Sequence, residues 1–164
     1  MKRLSNKLTK GIFFASFALA TALFFSSCAK DSGYSATVSV TYNISGNASG
    51  SQATPASSNQ NGSGSMSGTY NSSTKVMSYT TTWANLTGAP LTGGLYVGAV
   101  GQVGTAISAW SLGSGLSTSG SFSSTTTLNA DQESQLLAGK CYYILGTAAN
   151  ASGEIRGQIT ATAH

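Results

Sequence analysis

Lys140-Cys141-Tyr142-Tyr143-Ile144-Leu145-Gly146-Thr147-Ala148-Ala149-Asn150-Ala151-Ser152-Gly153-Glu154-Ile155-Arg156-Gly157-Gln158-Ile159-Thr160-Ala161 decides the fold of this chain. Lys140 to Ala148 is a run of aromatic and branched residues, which favour a pleated, packed surface. Asn150 to Gly153 collects turn formers. Glu154 to Ala161 then alternates. Ile155, Ile159 and Ala161 face one way, and Glu154, Arg156, Gln158 and Thr160 the other. Two such runs around a short turn predict an antiparallel hairpin with one buried face.

The same period of two recurs upstream. Tyr34, Ala36, Val38, Val40, Tyr42 and Ile44 share a face, with mostly Ser, Thr and Asn between them. From Ser45 to Ser65 the apolar signal disappears, which predicts a long, mobile surface loop. Met66 to Tyr70 and Lys75 to Trp83 form a second hairpin around Asn71–Thr74. Asn85 to Leu91 is a turn with Gly88 and Pro90. Gly93 to Val103, Ala106 to Leu112 and Ser121 to Leu128 are further strands, with a loop over Gly113–Gly120. One helix is predicted at Asn129–Ala138. Asn129 and Gln132 form a capping box, Asp131 and Glu133 suit its positive end, and Gly139 stops it. About 7–8 short strands with regular turn signals predict an all-β antiparallel sandwich or barrel with one short helix near residues 129–138.

The N-terminus has a different character. Lys2, Arg3, Lys7 and Lys10 precede an apolar stretch from Gly11 to Phe25, and Ser26-Ser27-Cys28 follows. That stretch is about 15 residues, roughly 22 Å as a helix, short of the ~30 Å hydrocarbon core. It resembles the signal peptide and lipobox of bacterial lipoproteins, with Phe25 where Leu is usual. The expected organisation is a signal peptide over 1–27, a tether over 28–33 and a β domain over 34–164. The resemblance implies diacylglyceryl on Cys28 and a further fatty acyl chain, such as palmitate, on its amino group. Two or more chains hold a protein stably at a membrane. No Asp follows Cys28, and Lys30-Asp31 resembles the surface-export signal of Bacteroidetes lipoproteins. The expected location is therefore the bacterial outer membrane or cell surface, lipid-anchored, with membrane lipid as a partner.

Charge and cysteine counts exclude several classes. Four of the eight Lys and Arg lie before residue 11. Lys30, Lys75, Lys140 and Arg156 remain against Asp31, Asp131, Glu133 and Glu154, so the processed chain carries no net side-chain charge. Nucleic acid requires a basic footprint and is not an expected partner. If Cys28 is acylated, Cys141 has no internal partner, and its apolar surroundings predict a buried thiol.

The closing stretch resembles the last motif of the CHRD domain, named after chordin. Gly153-Glu154-Ile155-Arg156-Gly157-Gln158 reproduces that motif's core. Leu136-Leu137-Ala138-Gly139 is similar to the family's short helix. Leu86-Thr87-Gly88-Ala89-Pro90-Leu91-Thr92 is similar to the turn before its middle motif, and Ser45-Gly46 to part of its first. The resemblance extends over 36–160 and implies an extracellular β module. The family's histidines are replaced here by Leu95, Val97 and Gly146. Any metal role those imidazoles have elsewhere does not carry over.

No catalytic constellation is legible. The chain has one His, at 164, and no Gly-x-Ser-x-Gly, and its best carboxylate pair, Glu154 and Asp131, lies on different elements. No metal and no cofactor are expected. Trp83, Trp110, Glu154 and Arg156 are the candidate binding residues. Trp83 and Trp110 could stack on sugars, or fill the core as strand aromatics commonly do. Glu154 and Arg156, two apart on one strand face, could form a recognition patch, or an ion pair or hydrogen-bond lock on the hairpin. The expectation is a non-enzymatic binding or structural lipoprotein, with polysaccharide or protein as partner. A carbohydrate-binding module and an enzyme of unknown type are the alternatives.

Overall fold

The computed structural model describes residues 39–164. Cys28, the tether and the first residues of the predicted opening strand (Tyr34, Ala36 and Val38) lie outside them. The elements run β1 (Thr41–Ser49), β2 (Ser63–Asn71), β3 (Val76–Ala84), β4 (Thr92–Val97), β5 (Thr105–Ala109), β6 (Gly120–Thr127), α1 (Ala130–Leu137), β7 (Cys141–Gly146) and β8 (Ile155–Ala163). All strands join one sheet in the order β5-β4-β7-β8-β1-β2-β3-β6, and every pairing is antiparallel. The edge strands β5 and β6 approach each other through side chains. Trp110, just past β5, stacks on Phe122 of β6 at 5.1 Å between centroids. The sheet thereby curls into a nearly closed barrel, as the strand count and alternation predict.

The barrel is filled from every strand. Ile44, Met66, Tyr70, Met77, Tyr79, Trp83, Leu95, Tyr143, Leu145, Ile155 and Ile159 point inward and are buried. Fully burying one such aliphatic side chain stabilises by about 1.5–3 kcal/mol. The capping box at Asn129 and Gln132 forms as predicted. α1 buries Leu136, and Lys75 Nζ reaches Glu133 at 2.6 Å, pinning the helix to the β2–β3 turn.

Several predicted boundaries differ from the structure; the strand expected over Ala106–Leu112, for one, ends at Ala109. The expected loop over 45–65 contracts to residues 50–62, because β1 runs on to Ser49 and β2 begins at Ser63. The alternation fades there because close neighbours replace bulky side chains. A Cβ on Gly46 would stand 2.6 Å from the Gln158 carbonyl oxygen, and one on Gly64 would stand 2.8 Å from Ile155 Cδ1. Small residues are therefore required where alternation alone would ask for large ones. The strand predicted over Gly93–Val103 stops at Val97, and residues 98–104 loop back over the outside of β7 and β8.

Candidate functional site

The closing hairpin positions the two charges that the sequence singles out. β7 and β8 pair with Leu145 opposite Ile155 and Ile144 opposite Arg156. Gly153 makes the turn at φ 138°, a conformation that side chains resist. Ile155 and Ile159 face the core as predicted, and Ala161 packs against it. The opposite face is covered at its start, where Glu154 is 0% and Arg156 2% exposed, and opens to solvent at Thr160.

Glu154 sits at one end of the barrel where three loops meet. Its Oε1 accepts from Asn59 Nδ2 and from the Thr87 backbone N–H, both at 2.6 Å. Its Oε2 accepts from Thr87 Oγ1 at 2.6 Å, from the Thr147 hydroxyl and from Asn150 Nδ2 at 3.5 Å. A carboxylate offers about four lone-pair directions, and all are taken. Burial alone would raise its pKa. The donors from Thr147, Thr87 and Asn59 outweigh that and hold the carboxyl below its ordinary value. Glu154 is thus an ionised clasp joining the β1–β2, β3–β4 and β7–β8 loops.

Arg156 is held separately. Its Nη1 donates to Gln102 O at 2.8 Å and Thr54 Oγ1 at 3.3 Å, and its Nη2 to Ala99 O at 2.8 Å. The guanidinium carbon lies 3.6 Å above the Tyr142 ring, a cation–π contact, and Tyr142 stacks on Tyr96 at 5.3 Å. Tyr142 Oη accepts from the Gly104 N–H, and Gln158 Nε2 donates to Gly98 O and Gly139 O. Arg156, Gln158 and Tyr142 together fasten the 98–104 loop to the barrel. No carboxylate among the described residues meets Arg156, so the ion-pair form of the hairpin lock is absent and its hydrogen-bond form is present. Burial lowers the pKa of the guanidinium, which nonetheless stays charged.

The tryptophans belong to the core. Trp83 is 3% exposed and donates from Nε1 to Ser117 O at 3.0 Å. Trp110 is 8% exposed, between Tyr79, Phe122 and Tyr143. Neither presents a ring face on which a sugar could stack. Leu95 is buried and Val97 packs against the core, so the positions matched to family histidines are part of the apolar interior. Burial pushes the Cys141 thiol up to about 12. The described residues hold no group of three or more His, Cys, Asp or Glu that could gather a metal.

Asn59, Thr87 and Thr147, which complete the Glu154 clasp, were not singled out by sequence. Three uncharged residues, dispersed over three loops, carry no local signal. Thr147 and Thr87 lie within the stretches that resemble the family's motifs, and that was the only available pointer. Comparison with known proteins agrees with that resemblance: the family model described as the CHRD domain matches residues 44–159. No curated protein and no solved structure matches.

Proposed function

The chain belongs to the CHRD domain family, and from that premise we propose that it is a lipid-anchored extracytoplasmic lipoprotein whose CHRD barrel serves as a non-enzymatic binding or structural module. Cys28 carries the acyl chains, the residues after it form the tether, and the barrel stands at the outer membrane or cell surface. No helix among the described residues is long and apolar enough to cross a membrane. Anchoring in this reading rests on Cys28 alone.

The observation that carries the non-enzymatic reading is the saturation of Glu154. It is the buried carboxylate of the family motif, yet all its lone pairs are committed to Asn59, Thr87, Thr147 and Asn150. A general acid or base needs a free lone pair or proton facing its substrate. Glu154 and Arg156 instead hold four loops in fixed places, which is what a display scaffold requires. The buried Trp83 and Trp110 withdraw support from sugar stacking on those rings.

Metabolic labelling with an alkyne fatty acid in a bacterial host tests the anchor. The wild-type chain is expected to label and Cys28→Ala to lose the label. Undiminished labelling of Cys28→Ala would overturn the anchor assignment.

A further inference from the structure

A cavity of about 110 Å³ opens beside Arg156, between the β4–β5 loop and the β7–β8 turn. Its walls include Thr54, Tyr96, Val103, Tyr142, Ser152 and the guanidinium itself. Water occupies about 30 Å³ per molecule in the liquid. The space thus suits a group a few heavy atoms in size at the end of a larger ligand.

The charge balance around the cavity is one-sided. Buried charges in proteins are ordinarily paired. Among the described residues, Lys75 has Glu133 and Glu154 has five donor groups from four residues, but Arg156 has no anion. Three of its five N–H groups are used, all toward neutral oxygens. The Tyr142 face compensates part of the desolvation. A planar fork that lines the cavity and keeps two of its N–H groups unused is complementary to a carboxylate.

We propose that the Arg156 cavity is a carboxylate-binding site, which receives the acid group of an acidic sugar or of a peptide C-terminus. Thr54, Tyr96, Tyr142 and Ser152 frame the group, and Val103, exposed on the 98–104 loop, borders the entrance. The inference deepens the binding role proposed above by giving it a ligand class. It does not depend on the lipid anchor, so loss of either leaves the other standing.

The test is an amide-shift titration of the full chain with sodium acetate, and with acetamide as the neutral control. Galacturonate and an N-acetylated dipeptide with a free carboxyl, run against its amide, distinguish the two sources. Saturable shifts are expected at Val103, Gly104, Ser152 and Arg156 with the carboxylates, and not with acetamide. Ser152 is exposed, so Ser152→Asp keeps the fold and places a competing carboxylate in the cavity wall. It is expected to weaken acetate binding by on the order of tenfold or more. Tighter binding of galacturonate assigns an acidic polysaccharide as the source, and tighter binding of the dipeptide a protein terminus. Either result supports the site. Absence of saturable shifts, equal shifts with acetamide, or undiminished binding in Ser152→Asp would overturn it.

Discussion

The β7–β8 hairpin and the β2–β3–β6 sheet are built from the same pattern and end in different environments. On β2, β3 and β6 the inward positions are apolar or small, and the outward ones are Ser and Thr throughout the pocketed middle of the sheet. Ser67, Thr80 and Ser123 lie abreast, as do Thr69, Ser78 and Thr125. Short cross-strand bonds such as Thr80 Oγ1 to Ser123 Oγ at 2.8 Å link them, and these outward hydroxyl residues are exposed. On β8 the inward face is equally apolar, but the outward face as far as Gln158 is roofed by the 98–104 and 50–62 loops. Charged side chains there become buried struts. An outward position is therefore polar for two different reasons: to meet water on β3, and to hold loops on β8. The alternation reads the same in both.

The contrast has measurable consequences. Glu154→Ala is expected to be the most damaging change. It strands the Thr87 N–H and takes from Asn59, Thr87 Oγ1 and Thr147 their bonds to a charged acceptor, each worth about 1.5–3 kcal/mol, so the total should exceed about 3 kcal/mol. A loss below 1 kcal/mol by urea unfolding would remove the clasp from the account. Ile155→Ala, on the inner face of the same strand, should cost about 2–5 kcal/mol. Glu154→Gln should cost less than Glu154→Ala and change the pH response. The carboxyl has a lower pKa folded than unfolded, so its contribution is present above the unfolded value near ~4.3. That contribution is lost as pH falls through the folded value. Wild type should therefore weaken on acidification more steeply than Glu154→Gln. Parallel stability curves for the two proteins below about pH 4 would mean that Glu154 is not held ionised. Lys75→Ala should have the smallest effect, about 0–1 kcal/mol, since the Lys75–Glu133 pair is partly exposed.

Legibility in the sequence followed the same division. Where only one face is covered, as in β3 and β6, the strands could be read to within a residue. The Asn129–Gln132 capping box and the Gly153 turn were legible because their residue chemistry is local. The burial of Trp83 and Trp110 followed one of the two readings open from alternation. The roofed side of β8 was not legible. Nothing local distinguishes Arg156 on a solvated face from Arg156 beneath Ala99, Gln102 and Thr54, residues that lie more than fifty positions away. The extension of β1 and β2 through Gly46 and Gly64 was hidden for a related reason: close approach of Gln158 and Ile155 calls for glycine, and glycine reads as loop. The ion pair was an available alternative for Glu154 and Arg156, but their two-residue spacing could not reveal that each finds separate partners.

The central claim is that β8 is buried on both faces at its start, around Ile155 and Arg156, while β3 is buried on one. Unfolding free energies of two pairs of adjacent alanine variants test it most directly. In β3, Met77→Ala should cost about 2–5 kcal/mol and Ser78→Ala should stay within about 0.5 kcal/mol of wild type. In β8, Ile155→Ala and Arg156→Ala should both cost at least about 2 kcal/mol, because removing the guanidinium takes the donor from the Gln102 carbonyl, frees the 98–104 loop and uncovers Tyr142. If Arg156→Ala instead behaves like Ser78→Ala, the outer face of β8 is solvated and the account of the closing hairpin is wrong.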